Sequence, residues 1–573
     1  MAIQVLFAGD LFSAAREFCG LLEEALSACP PAFSIALSRV PCFPGKAALT
    51  LRPPVLPVCV DEKEVLFGPI YVPGFSVCPE CLDYWLDLNL QDRCEPQLTP
   101  GPDAARAIAE QVAKLSAPHL PGTYPAIFSA AASLRLDDRA TFRHPVFPRR
   151  DCSRCGALAQ KTAFPLEIHC SRWTGIVGRV QLAAEPSAGA YRATSTWTPP
   201  LPLAGARPRL RRMSAYGRGR TREDALAGSI AEALERYSLV YRGDEPLFRQ
   251  PFREIDAIHP NEILLFSESQ YHGRAEWNAA ALKEVAVPEP FREDSPADWL
   301  EAQPLTPGLA ARYVPAACCL MWYLFPAGEP EFARADTVGC ASGATFEDAL
   351  RHALLEWIER DAMAIWWENR LRRPGVLLES FESRDLDEVA RGLRAIGRDL
   401  FLLDCTTDIG IPAYVSVAPR FDGSEPLFAG AADPSPRVAA WKAASEAGQI
   451  WYEANRSGCL SSTLRPWITA ETTATQPYLL PHGFADAPPE PAAPRASTSA
   501  AIVERLAAAG LEAWALDQSR PDVVLATVRA IVPGLRHVWN RRAPGRLYDV
   551  PVKMGWLAAS GSEEKLNPLR CIV

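Results

Sequence analysis

Positive charge is in deficit along this chain. Its 59 Lys and Arg against 68 Asp and Glu leave a net charge of −9, which argues against a nucleic-acid partner, because a phosphate backbone calls for a basic face. Long hydrophobic runs are also missing. No apolar stretch reaches the roughly 20 residues that span a bilayer, so no membrane partner is expected. The N-terminal stretch MAIQVLFAGDLFSAAREF has neither a basic segment nor an A-x-A site before Asp10, so it is not a secretory signal, and the expected location is cytoplasmic. Both familiar phosphate cradles are absent. There is no G-x-x-x-x-G-K-[ST] loop, and the early turn FAGDLFSAA lacks G-x-G-x-x-G, so no nucleotide is expected at that turn.

Cysteine, by contrast, is plentiful. Sixteen of them in a chain with no export signal read as thiols and metal ligands rather than as a disulfide framework. Cys78 and Cys81 form CPEC, and Cys152 and Cys155 form CSRC. Each pair can clip one side of a tetrahedral zinc ion; two accidental C-x-x-C pairs in a cysteine-rich chain, or a redox pair, are the alternatives. Cys318 and Cys319 lie in VPAACCLMWYLF, which reads as a buried strand.

At 573 residues the chain exceeds one ordinary core, so two domains are expected. Residues 1–165 alternate short apolar runs with a helical stretch, AAREFCGLLEEAL, and end at the second cysteine pair; they read as a small α/β domain. Residues 166–573 alternate strands such as GIVGRVQLA with long helices near 222–241, 346–369, 386–397 and 436–455. The fold class is therefore α/β, of the α+β kind. Two proline-rich passages, STWTPPLPLAGARPRLRR and PHGFADAPPEPAAPRASTSA, read as exposed linkers.

One phrase occurs twice. Glu232, Glu235 and Arg236 in SIAEALERYS have the E-x-x-E-R spacing of Glu356, Glu359 and Arg360 in ALLEWIERDA. On a helix, Asp348, His352, Glu356 and Glu359 fall within an arc of roughly 80°. Leu350, Ala353, Leu354 and Trp357 take the opposite, apolar face. In the first copy Ser229, Glu232, Glu235 and Arg236 group on one side. A stripe of like charges is unfavourable unless something positive faces it. The two arginines neutralise only part of it, so converging stripes point to divalent cations, with magnesium preferring carboxylate oxygen. Magnesium with arginine suits a polyphosphate; two independently solvated helix faces are the alternative. AYGRGRT, just upstream, supplies glycines with Arg218 and Arg220.

These motifs resemble those of the YcaO proteins, specifically azole-forming enzymes fused to a ThiF-like remnant, and the resemblance covers nearly the whole chain. GRGRTREDALAGSIAEALERYS is similar to the family's first ATP and magnesium helix with its preceding loop, and GCASGATFEDALRHALLEWIERDAMAIWW to its second. PSPRVAAWKAASEAGQ, with Glu446 and Gln449, and GRLYDVPVKMGWL are also similar, and FGPIYVPGFSVCPECL with DCSRCG resembles the zinc-bearing ThiF-like part. The resemblance implies ATP-dependent cyclodehydration: a Cys, Ser or Thr of a ribosomally made precursor peptide becomes a thiazoline or oxazoline through phosphorylation of the backbone amide oxygen. It implies that Ser229, Glu232, Glu235, Asp348, His352, Glu356 and Glu359 bind magnesium and nucleotide. Arg218 and Arg360 would meet phosphates, and Cys78, Cys81, Cys152 and Cys155 would hold a structural zinc.

The implied partners are the precursor peptide, a separate leader-peptide-binding protein, an azoline dehydrogenase and a second copy in a homodimer. The separate leader-binding protein is expected because IQVLFAG opens the front domain and the zinc cysteines follow by residue 78, leaving little room for a winged-helix module that would bind a leader by β-augmentation. Four positions depart from the family pattern: Gly228 stands for a serine, Val338 and Ala344 for asparagines, and Asp348 for a glutamate; the chain also ends LNPLRCIV where a proline-rich tail is usual. A thioamide- or amidine-forming enzyme, and a scaffold without turnover, are the competing readings.

Overall fold

The computed structural model describes residues 5–7, 22, 24, 26, 34–39, 48–61, 63–89, 102–116, 129–149, 152–158, 165–186, 188–200, 212–280, 286–456, 464–491 and 498–571. The early turn FAGDLFSAA beyond Phe7, the helical stretch 14–26 apart from Leu22, Glu24 and Leu26, and the proline-rich residues 201–211 and 492–497 lie outside these. The chain forms two compact units, one of residues 1–180, 195–215 and 520–524, the other of 181–194, 216–519 and 525–573.

The first unit is built on a six-stranded sheet in the order Val5–Phe7, Ser34–Arg39, Val55–Val60, Glu64–Phe67, Ala130–Arg135, Thr141–Pro145. The first three strands are parallel and the rest antiparallel. Val55–Val60 and Glu64–Phe67 are buried along their whole length, as strands covered on both faces must be. The amphipathic helix Pro102–Ser116 places Ala104, Ala105, Ile108 and Val112 in the same core as Leu56, Val58 and Phe67.

The second unit has two larger sheets. One runs Phe248–Pro251, Pro296–Pro304, Trp514–Asp517, Ala526–Ile531, Cys340–Gly343, all antiparallel, with Arg312–Pro315 also on Pro296–Pro304. The other runs Leu427–Ala432, Ala413–Ala418, Phe401–Asp404, Gly375–Val376, Phe484–Ala485. The helix Phe346–Glu368 lies in a core shared by both: Leu350, Leu354, Trp357, Ile358 and Trp366 pack with Val528 and Ala530 of one sheet and Val415, Val417 and Phe428 of the other. A helix buried on nearly every side has little amphipathic contrast, so its charged stripe stands out against an apolar surround. The strand Met213–Gly219 precedes the first E-x-x-E-R helix, Arg222–Leu239.

Two expectations change. Cys318 and Cys319 are buried, but on a helical turn, Ala316–Cys319, that follows the strand Arg312–Pro315. Periodicity alone cannot separate a short apolar strand from a buried helical turn, and Pro315, with no N–H to give a ladder, ends the strand. The opening of the first proline-rich passage is no exposed linker either: Ser195, Trp197 and Thr198 are buried, because a buried tryptophan there outweighs the solvated character of the prolines. The described part of the second passage is exposed at His482 to Asp486.

Candidate active site and metal centre

Both E-x-x-E-R helices begin alike. Thr221 caps the first, its hydroxyl accepting from Asp224 N at 3.1 Å while the Asp224 carboxylate accepts from Thr221 N at 3.3 Å. Thr345 caps the second, accepting from Asp348 N at 3.1 Å and donating to Asp348 Oδ2 at 2.7 Å. The offset that relates Glu232 to Glu356 also relates Thr221 to Thr345 and Asp224 to Asp348, so the doubled phrase includes its own helix start.

The acids lie further along. Glu232 Oε2 accepts from Tyr216 N at 2.8 Å, and Glu235 Oε2 from Ser342 N at 3.2 Å. Glu356 Oε2 accepts from Gly339 N at 3.1 Å. Cys340–Gly343 is the edge of its sheet, so its outward N–H groups are free for this, and one edge strand and its approach serve acids from both helices. Gly339 has φ +73 and its Cα lies against Trp357, where a Cβ would come 1.9 Å from the indole Nε1. Trp357 is itself pinned by its 2.9 Å bond to Ala530 O.

Arginines thread the acids. Arg236 pairs with Glu232 at 3.3 Å and Glu235 at 3.6 Å, and Arg360 with Glu356 at 3.6 Å and Glu359 at 3.4 Å. Arg218 Nη2 donates to Glu446 Oε2 at 2.8 Å. Burial pushes Glu235 up to about 8, with Arg236 opposing and Glu356 and Glu232 adding repulsion. Burial also pushes Glu359 up to about 8, against Arg360 and Arg218 and with Glu446 and Glu356. Glu453 is raised by burial and by Glu232 and Glu446, with its hydrogen bond from Gln449 opposing.

Six carboxylates thus feel one another across three helices, Arg222–Leu239, Phe346–Glu368 and Pro436–Arg456. They outnumber the three arginines paired among them. Such a donor set fits hard divalent cations, whose charge would bring the raised carboxyls back down. Arg360 Nε and Arg236 Nη1 are buried with no hydrogen-bond acceptor among the described residues, donor capacity of the kind a phosphate uses.

Sequence reading therefore finds Arg218, Glu232, Glu235, Glu356, Glu359 and Arg360 in one cluster. The structure sets the other three expected residues, Ser229, Asp348 and His352, apart from it. Asp348 is spent on the helix cap, roughly 12 Å along the axis from Glu356. His352 is exposed, one turn before Glu356, with Arg351 Nη2 2.8 Å from its Nε2. Ser229 is buried, its hydroxyl donating to Leu226 O at 3.0 Å. Glu453 was missed, although Glu446, Gln449 and Glu453 follow i, i+3, i+7 along one helix, a face legible in principle.

In the first unit Cys78, Cys81, Cys152 and Cys155 bring their sulfurs within 4.8 Å of one another. The separations 78–152 and 81–155 are 3.5 Å, and 152–155 is 3.8 Å. A tetrahedron of thiolates at the usual zinc distance has edges of roughly 3.8 Å. Cys78 precedes and Cys81 sits in the first turn of Pro79–Asn89, whose N-terminus favours anionic sulfur. Cys78 N donates to Cys155 Sγ at 3.4 Å, and Arg149 N to Cys81 Sγ at 3.3 Å. Hydrogen bonds from Cys155 and Cys81 hold the Cys78 thiol far below its usual range, while the bond with Cys78 pushes Cys155 up to about 12. Four such sulfurs cannot ionise together without a cation, so the set fits zinc. No cysteines are disulfide-bonded among the described residues.

A family model described as YcaO cyclodehydratase, ATP- and Mg2+-binding, matches residues 216–536, more than half of the chain. A solved structure of a heterocyclase in complex with substrate and cofactor is similar over 100% of this chain and 86% of its own, at 28% identity and a TM-score of 0.86. The structure of the heterocyclase TruD is similar over 99% of this chain and 84% of its own, at 27% identity and a TM-score of 0.74. A protein from the tfuA 3' region of Rhizobium leguminosarum bv. trifolii is 32% identical over 219 residues, 34% of this chain and 51% of that protein. The chain spans about half the length of the curated relatives it matches. No helix among the described residues is long and apolar enough to cross a membrane.

Proposed function

This chain belongs to the YcaO family, and we propose that it is an ATP-dependent cyclodehydratase that makes azolines in a ribosomal precursor peptide. The observation that carries the reading is the cluster itself, in which acids of two related helices and a third helix face Arg218, Arg236 and Arg360. The substrate's Cys thiol, or Ser or Thr hydroxyl, gives its proton to base and adds to the preceding amide carbon. The resulting oxyanion attacks the γ-phosphorus of ATP and ADP departs. Loss of phosphate, with the amide N–H proton passing to base, leaves the C=N of a thiazoline or oxazoline. An amide oxygen is a poor leaving group, and phosphorylation makes it a good one.

Glu232, Glu235, Glu356, Glu359, Glu446 and Glu453 are the oxygen donors for magnesium in this reading. When bound, magnesium neutralises the charge that builds on the phosphates. Arg218, now on Glu446, and Arg360, with N–H groups to spare, are the guanidinium partners of phosphate. Ser229 and Asp348 act at one remove, through the packing and the cap of their helices, and His352 stands at the exposed end of the stripe. The zinc of Cys78, Cys81, Cys152 and Cys155 is structural. The reading assigns zinc to residues 1–165 and catalysis to 166–573.

Likeness to two heterocyclases over nearly the whole chain favours ring closure over a thioamide or amidine product. Retention of all four E-x-x-E-R acids favours turnover over a scaffold. The reading calls for a leader-peptide-binding protein upstream and an azoline dehydrogenase downstream, in the cytoplasm, with the enzyme as a homodimer. Incubating the protein with ATP, magnesium, a cognate precursor and its leader-binding partner should remove the mass of one water per modified residue. Sulfur incorporation, or no ATP-dependent mass change, would overturn it.

A further inference from the structure

Arg192 is one of the buried cations that the mechanism above does not use. Arg192, on the strand Tyr191–Trp197, is 1% exposed. Its Nη1 donates to Gln449 Oε1 at 3.2 Å, and Nη1 and Nη2 both reach Ser445 O at 3.4 Å. The guanidinium thus lies along one turn of the helix Pro436–Arg456, with the Tyr452 ring 5.9 Å from its carbon. Gly448 makes the room. A Cβ there would come 2.7 Å from Arg192 Nη2 and 2.9 Å from the Ala188 Cβ, so the arginine occupies the place of a side chain.

Gln449 then has no freedom in its amide. A guanidinium can only donate, so the amide oxygen must face Arg192. The NH2 end is thereby turned the other way, where it donates to Glu453 Oε1 at 2.6 Å. Glu453 in turn feels Glu232 and Glu446. The chain of contacts runs from a buried cation, through one oriented amide, to a carboxylate of the cluster.

We infer that Arg192 is a positioning residue for the magnesium–nucleotide site, acting through Gln449 to hold Glu453 against the other carboxylates. The inference rests on reading that cluster as the magnesium–nucleotide site. Arg192 lies outside the segment matched by the family model, and Gly448 is the feature of the helix that admits it.

Binding of magnesium with a non-hydrolysable ATP analogue, measured by calorimetry beside the thermal unfolding midpoint, tests it. Arg192→Met should weaken binding tenfold or more, because Gln449 can then flip and Glu453 loses its donor. Gly448→Ala should act in the same direction with the charge retained, by displacing the guanidinium. Gln449→Met should match Arg192→Met, and the pair together should lose little beyond either alone, since both break one chain. Arg192→Lys should recover part of the affinity. A purely structural arginine predicts the opposite: lower midpoints with affinity within twofold of wild type, and that result overturns the inference. Should Arg192→Met not fold, Gln449→Met and Gly448→Ala decide the matter by the same criterion. Failure of the wild-type protein itself to bind would overturn the functional reading and this inference with it.

Discussion

Removing Arg546 should loosen the second E-x-x-E-R helix from behind. Asp361 follows Arg360 on that helix and is fully buried. Arg546 Nε donates to its two oxygens at 3.0 and 3.2 Å, Arg546 Nη2 to Oδ2 at 2.6 Å, and Arg536 N to Oδ1 at 3.0 Å. Arg546 Nη2 also reaches Asp408 Oδ1 at 2.9 Å, and Lys553 takes Asp408 Oδ2 at 2.9 Å. In Arg546→Met, Asp408 keeps Lys553 but Asp361 keeps only one backbone N–H. Stripping the partner from a buried charge costs about 3–5 kcal/mol, a large share of the roughly 5–15 kcal/mol that holds an ordinary domain. Hydrogen exchange of peptides covering Phe346–Glu368 reads this locally, which suits a chain of two units.

The double variant Asp361→Asn with Arg546→Met should be less destabilised than Arg546→Met alone, because the unpaired charge is gone. Acid gives a second check. Burial opposes ionisation of Asp408, but Lys553 and Arg546 outweigh it and hold the carboxyl below its usual range. The stability it contributes is therefore present above the ordinary carboxylate pKa and lost as pH falls through the depressed one. Acidification should weaken wild type more than Arg546→Met. Protection unchanged within about 1 kcal/mol in Arg546→Met, or an identical acid response in both proteins, would refute the reasoning.

Elemental analysis should find one zinc per chain, and Cys78→Ser with Cys152→Ser should abolish it, since one ligand is lost from each pair. Glu359→Gln should keep the fold by circular dichroism yet lose ATP-dependent dehydration by a hundredfold or so, a loss of about 3 kcal/mol in charge stabilisation; wild-type turnover would reduce the stripe to a solvated face. Gly339→Ala should be destabilised by about 3 kcal/mol or more, because the new methyl must displace the Trp357 indole; an unchanged melting midpoint would contradict the contact described.

Much of this site was legible in one dimension. A helix places residues three and four apart on one face whatever surrounds it, so Glu232, Glu235, Glu356 and Glu359 could be assigned to stripes from spacing alone. The C-x-x-C pairs declared their chemistry in the same way, since two ligands one turn apart clip one ion. What spacing could not decide was which stripes meet. The pairing of Cys78 with Cys152 and of Cys81 with Cys155 across the fold, the closing of Glu235 on Ser342 N, and the convergence of Glu446 and Glu453 on the other acids all depend on strand order and packing. Asp348 shows the converse. It shares the face of Glu356 by angle, yet lies at the helix start, where the cap claims its carboxylate. Arg192 carried no signal at all, because its partners sit on a helix far along the chain and its room is made by a glycine. Local spacing follows from the backbone's own geometry, and so is written in the sequence; contacts between distant segments follow from which apolar faces bury one another, and only the folded chain decides those.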